Sequence, residues 1–186
     1  MSLLVRPRSG YIPQTVDPNS KHPQLDRYFH FDRFRPGQEP LVEAVMAGRD
    51  ALAVMPTGGG KSLCFQYPAT VLPVTALVIS PLIALMRDQV DGLRAKGIRA
   101  SAYHSGLTQP ERWRVREEFL RQDLKLLYLA PERLQSDEFK TWLARVPVSF
   151  IAIDEAHCIS QWGHDFRPDY RRLDGLRALI RGGAAI

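Results

Sequence analysis

Cysteine is scarce in these 186 residues, with only Cys64 and Cys158 present. Two thiols cannot form a disulfide framework, and no CxxC pair suggests a zinc ribbon. A reducing, cytoplasmic setting is the expectation. Long apolar runs are missing as well. No charged residue occurs from Ser62 to Met86, but Pro68, Pro73 and Pro81, with Gln66 and two threonines, divide that stretch. The pieces fall short of the roughly 20 apolar residues that a membrane span needs. No apolar segment with a cleavage site opens the chain. A membrane protein or a disulfide-stapled secreted domain is therefore excluded from the reading. With 45% hydrophobic and 24% charged residues the composition is neither fibrous nor disordered, and the length suits one α/β domain.

Basic residues outnumber acidic ones by 25 to 20, and the surplus is uneven. Residues 36–160 hold 14 of each sign, the first 35 carry 6 basic against 3 acidic, and the last 26 carry 5 against 3. A surplus confined to the flanks suits a polyanion-binding patch, and equally suits plain solubility.

Residues 1–23 are polar and broken by Pro7, Pro13, Pro18 and Pro23. They read as an extended or disordered lead-in to one domain over 24–186. Beyond them short apolar runs alternate with amphipathic patterns. Strands are expected at Ala51–Met55, Ala76–Ser80, Ala100–His104, Lys125–Leu129 and Ser149–Ile153. Most are continuously apolar, as strands buried on both faces require. Between them Leu82, Leu85, Met86, Val90 and Leu93 recur at helical spacing and Gly97 follows as a stop. Thr108-Gln-Pro-Glu111 has the form of a capping box. The alternation predicts a mostly parallel sheet flanked by helices, with ligands at the carboxyl ends of the strands.

The first of these strands runs into Pro56-Thr57-Gly58-Gly59-Gly60-Lys61-Ser62 and then a helical stretch. Glycines let successive backbone N–H groups curl around one phosphate chain, and the helix N-terminus adds its partial positive charge. Lys61 then reaches the terminal phosphates of ATP, and the Ser62 hydroxyl can ligate Mg2+. A glycine-rich turn that merely precedes Lys-Ser is the blander reading; the strand before and the helix after weigh against it. The run Val148–His157 places Asp154 and Glu155 just past a buried strand. There Asp154 is assigned to the metal, Glu155 to the general base, and His157 to sensing the γ-phosphate or relaying to the next segment. A zinc site at His157, Cys158 and His164 lacks a fourth ligand and a standard spacing.

Phe34-Arg-Pro-Gly-Gln38, MPTGGGKSLCFQYPA, SPLIALMRDQV, YHSGL, LAPERL and DEAHCISQWGHDFRPDY resemble, in order and spacing, the RecQ family of DNA helicases. The likeness covers roughly residues 25–180, and the string after DEAH is its most specific part. It implies the first of two RecA-like domains. It also implies that Arg35 and Gln38 read the adenine edge while Phe31 stacks on the base; a core role for Phe31 stays open. Family members often carry glycine where this chain has His30, which leaves the shape of that loop open.

The resemblance further implies that Trp162, His164, Phe166 and Arg167 form a loop coupling single-strand contact to ATP hydrolysis, with stacking by the aromatics. Inward packing of Phe166 is the alternative. His104 and Arg133, at strand-end loops, would belong to nucleic-acid contact segments; a solvated helix-start role for Arg133 stays open. Trp113 is read as core. In the family another strand and a second RecA-like domain with an arginine finger follow, so the chain reads as incomplete at its C-terminus. The strand expected next would lie between the phosphate-loop strand and the acidic-motif strand, and its loss would leave a gap or force those neighbours together.

The implied activity is that of an ATP-dependent, 3'-5' DNA helicase of repair and recombination, acting on single strands and forked duplex. Inactivity of this piece without the second domain is expected. A non-catalytic nucleic-acid-binding fragment and an RNA-directed DEAH-type ATPase are the alternatives.

Overall fold

The computed structural model describes residues 2–7, 22–56, 58–159 and 184–185. All five expected strands form, each trimmed by one or two residues: β2 (Ala51–Ala53), β3 (Ala76–Ile79), β4 (Ala100–Tyr103), β5 (Leu126–Leu129) and β6 (Ile151–Ile153). The helices are α1 (Pro23–Phe29), α2 (Gln38–Met46), α3 (Leu63–Val71), α4 (Ile83–Ala95), α5 (Gln109–Leu120) and α6 (Asp137–Leu143). Single 3-10 turns occupy Pro131–Gln135 and Ala156–Ile159. No helix among the described residues is long and apolar enough to cross a membrane.

Local chemistry accounts for the borders. In α4 the buried Met86, Val90 and Leu93 follow the helical period, and Gly97 turns the chain with φ of 76°. The Thr108 amide donates to Glu111 Oε2 at 2.7 Å, closing the expected box at the start of α5. On β3, Ala76 and Val78 enter one core and Leu77 and Ile79 the other. That two-sided burial explains why the strand reads as an unbroken apolar run.

One expectation is corrected. Within the lead-in, Ser2–Pro7 form a strand, β1, inside the sheet. The order is β2-β1-β6-β3-β5-β4, and a short β7 (Ala184–Ala185) also pairs with β1. Strands β3, β4, β5 and β6 pair in parallel, whereas β1 is antiparallel to both β2 and β6. The phosphate-loop strand and the acidic-motif strand therefore neither leave a gap nor close on each other. The chain's own beginning lies between them. Because β2 and β6 are both antiparallel to β1, they point the same way, and all five carboxyl ends share one rim of the sheet.

Candidate functional site

The loop after β2 is built on two left-handed glycines, Gly58 at φ of 78° and Gly60 at 77°. A side chain at Gly60 would also meet Gln38 Nε2, which the Gly59 and Gly60 carbonyls hold in place. That clash explains glycine there on space as well as on conformation. Gln38, almost fully buried, donates to the Gly59 and Gly60 carbonyls at 3.3 and 3.1 Å. Arg35 donates to the Gly58 carbonyl at 3.0 Å, and its own amide is accepted by Gln38 Oε1. The loop carbonyls are thus drawn to one side. The amides of Gly60, Lys61 and Ser62 donate to no backbone carbonyl among the described residues. Unpaired N–H groups at the entrance to α3 suit an anion. Ser62 stands at the N-cap, yet its hydroxyl makes no capping bond. Thr57 lies outside the described residues.

Asp154 follows the last residue of β6, is buried, and is fixed by its amide donating to the Ile79 carbonyl at 2.8 Å. Its Oδ1 accepts the Glu155 amide at 3.0 Å. Glu155 has φ of 50°, a left-handed conformation that costs a non-glycine residue on the order of 1 kcal/mol or more. Such strain turns the chain sharply at the rim, just past the end of β6. The intervening β1 holds β2 and β6 about two strand spacings apart, roughly 9–10 Å. His157 falls in the 3-10 turn after the acids, and its side chain lies outside the described residues.

Phe31 is 44% exposed, which removes the core reading. His30 before it takes φ of 56° and ψ of 38°, the left-handed cap that glycine usually supplies. The departure from the family pattern therefore does not alter the turn. Arg35 and Gln38 are both brought to the loop: the buried Gln38 spends its amide on the loop and on the Arg35 amide, while the exposed Arg35 binds the Gly58 carbonyl through one Nη.

The proposed strand contacts are less uniform. Trp162, His164, Phe166 and Arg167 lie outside the described residues. His104 is 1% exposed, and its Nδ1 accepts the Gly106 amide at 3.1 Å, so the ring braces its loop instead of meeting a ligand. Burial and the nearby Arg87 lower its pKa from the ordinary imidazole value. Arg133 lies over the Tyr103 ring at 5.3 Å, with a buried Nε that has no hydrogen-bond partner. It is not a solvated helix-start residue. Trp113 is 62% exposed, which corrects the core reading. Helical periodicity places Val115 and Phe119 inward on α5 and leaves Trp113 on the outer face.

Sequence reasoning passed over three buried or half-buried polar residues beneath the rim. Gln66 Nε2 donates to Gln89 Oε1 at 2.6 Å and to the Tyr128 hydroxyl at 3.2 Å. Gln66 stood out as a polar interruption of an uncharged stretch, and that was the available signal. Cys64, in the first turn of α3, is no nucleophile: burial pushes its thiol up to about 11. A cavity of about 510 Å³ lies at the opposite end of β4, around Arg94, Arg99 and Asp123, away from the rim.

Comparison with known proteins agrees with this geometry. Residues 35–181 match the DEAD/DEAH box helicase family. An ATP-dependent DNA helicase RecQ of Haemophilus influenzae is 51% identical over 83% of this chain and 25% of its own length. A probable ATP-dependent DNA helicase RecS of Bacillus subtilis is 50% identical over 84% of this chain and 31% of its own. A hypothetical ATP-dependent RNA helicase of Sulfolobus tokodaii superimposes with a TM-score of 0.61 at 20% identity. That alignment covers 87% of this chain and 46% of the other, and shows the fold. The chain spans about a quarter to a third of the length of these curated relatives. It belongs to the DEAD/DEAH box helicases, and within them it is a first RecA-like domain of the RecQ family.

Proposed function

We propose that these residues are the ATP- and single-strand-binding half of a RecQ-like 3'-5' DNA helicase of repair and recombination. The observation that carries the reading is the shared rim, where the loop holding Gly60, Lys61 and Ser62, whose amides donate to no backbone carbonyl among the described residues, and the acids Asp154 and Glu155 follow strands that point the same way. Gly58, Gly59, Gly60 and Lys61, with Thr57, hold the phosphate chain. Phe31 stacks on the base, and Arg35 and Gln38, already at the loop, stand beside it. Ser62 and Asp154 fit Mg2+, a hard cation that takes oxygen ligands. The ion supplies charge neutralisation on the terminal phosphates. Glu155 orients and deprotonates the attacking water, Asp154 fixes the neighbouring amide, and His157 relays the state of the site onward.

Single-stranded DNA meets Trp162, His164, Phe166 and Arg167, where each stacked base contributes about 1–3 kcal/mol. Arg133 adds phosphate contact, and His104 shapes the loop beside it. The relatives named as DNA helicases favour DNA over RNA for this chain. The reading places the protein in the cytoplasm.

The 186 residues alone bind without helicase-like turnover. An arginine finger supplies roughly 10³–10⁵ to phosphoryl transfer, and in this reading it comes from a second RecA-like domain. The test is ATP hydrolysis and fluorescent forked-duplex unwinding by the purified chain, with and without oligo-dT. Mg-ATP and oligo-dT binding without unwinding is expected. ATP-dependent strand separation that vanishes in Lys61→Ala would overturn the inactivity of the half. Absence of nucleotide binding would overturn the site.

A further inference from the structure

We propose that Gln66, Gln89 and Tyr128 are positioning residues, a polar junction that ties nucleotide occupancy of the loop to the seating of α4. The inference rests on the nucleotide reading above and goes beyond it, by naming the side chains that carry the coupling.

The junction lies against an otherwise apolar layer that includes Phe65, Val78, Met86, Val90 and Leu126. A primary amide in such a place must be satisfied, because an unpaired polar group is costly there. The Gln66 amide nitrogen has two hydrogens and two recipients, Gln89 Oε1 on α4 and the Tyr128 hydroxyl on β5. Both bonds are used. No hydrogen is left to exchange for another partner if one recipient moves.

Each arm leads to a different part of the site. Upstream, the Gln66 amide donates to the Ser62 carbonyl at 2.8 Å, so Gln66 and the hydroxyl-bearing end of the loop share one helical turn. Across the sheet, Tyr128 is fully buried on β5, with β3 between it and the strand that ends in the acidic turn. Its hydroxyl is held protonated by burial above all; the Gln66 bond acts the other way, and the negative charge of Asp154 adds a smaller push in the direction of burial. Outward, α4 carries Arg87 and Arg94, which with His104 and Arg114 line a cavity of about 210 Å³ at the end of β4.

A shift of α3 on nucleotide binding therefore has two outcomes at this junction. Either α4 follows, or a buried hydrogen bond is broken. Aliphatic side chains in the same places would let the two helices slide.

The test compares the parent chain with Tyr128→Phe, Gln89→Leu and Gln89→Glu. Glu at position 89 keeps an acceptor for Gln66, whereas Leu does not. Affinity for fluorescein-labelled oligo-dT is measured with and without a non-hydrolysable ATP analogue and Mg2+, alongside affinity for the analogue itself. In the parent the analogue is expected to change strand affinity by about fivefold or more, the lower end of ordinary coupling. Tyr128→Phe and Gln89→Leu should bind the analogue within about threefold of the parent yet lose most of that linkage, and Gln89→Glu should keep it. Full linkage in Gln89→Leu, or loss of linkage in Gln89→Glu equal to that in Gln89→Leu, overturns the junction. A parent that binds both ligands without linkage overturns it too and leaves the nucleotide site standing. A parent that binds no analogue overturns the site and the junction together. If Tyr128→Phe does not fold, the Leu and Glu pair at position 89 decides.

Discussion

At the scale of single residues, the site divides into groups that touch a ligand and groups that hold the loop ready for one. Under the proposed reading Lys61 belongs to the first kind. Removing its charge in Lys61→Ala should weaken Mg-ATP binding at least about tenfold, equivalent to 1.4 kcal/mol, read by titration of a fluorescent ATP analogue. Glu155→Gln should leave that affinity nearly unchanged and remove any residual hydrolysis. Lost nucleotide binding in that variant would make Glu155 a metal ligand instead. His104 belongs to the second kind, and it yields a pH prediction. Its folded-state pKa is lowered, chiefly by burial, so the folded protein binds fewer protons there than the unfolded chain. Its contribution is present above the unfolded imidazole value of about 6.5 and declines as pH falls through it. Thermal melts should show stability declining from pH 7.5 to 5.5. The decline should be shallower in His104→Asn, which keeps an acceptor for the Gly106 amide without a titrating ring.

At the scale of elements, α5 shows both what the sequence reveals and what it hides. Its beginning is plain, because Thr108 and Glu111 are in the one spacing that lets a side chain reach back to the cap amide. Its facing is not. The periodic core positions are Val115 and Phe119, and the tryptophan between arginines points to solvent. The five strands were readable for a related reason. A strand covered on both faces needs apolar residues at every position, and β3, β5 and β6 are buried throughout. β1 had no such mark, since Arg6 and Pro7 end it and its partners, β2 and β6, lie about 50 and 150 residues further along the chain. At the site, the glycine loop and the two acids were legible from residue type and spacing. The Gln38 brace and the Gln66 junction depend on partners 21 to 62 residues away and were not. The cap itself is open to measurement. Thr108→Ala should destabilise the chain by about 1 kcal/mol. The Thr108 bonds also hold the Glu111 carboxyl below its usual range. The Glu111 part of the cap is therefore present above the unfolded carboxylate value and is lost as pH falls through the depressed folded one. A difference between parent and Thr108→Ala that is the same at pH 7 and pH 3 would count against the cap.

For the whole molecule, the placement of β1 decides how the two halves of the nucleotide site are held. Among the described residues β2 is bonded to β1 and to no other strand, whereas β6 also has β3 beside it. The loop strand is therefore tied to the acidic strand through six residues at the chain's beginning. Leu4 stands at the centre of that tie, opposite Ala51 on one side and Ala152 on the other. Proline has no amide to donate and is found only at sheet edges, so Leu4→Pro should expel the strand. The direct cost of one lost ladder bond, with its buried carbonyl left bare, is about 1–3 kcal/mol. For a chain of this size that corresponds to a melting temperature lower by about 2–4 °C per kcal/mol. The loss should be local. Hydrogen exchange should quicken across Ala51–Ala53 and Ile151–Ile153, and stay slow in β5, which lies between β3 and β4 and does not touch β1. Nucleotide affinity should fall with it, because a loop whose strand has lost its neighbour no longer stands at a fixed distance from Asp154. Leu4→Ile keeps the amide and should behave as the parent in all three measurements. If exchange in β2 is equally slow in Leu4→Pro, the loop strand is anchored by α2 and α3 rather than by the sheet.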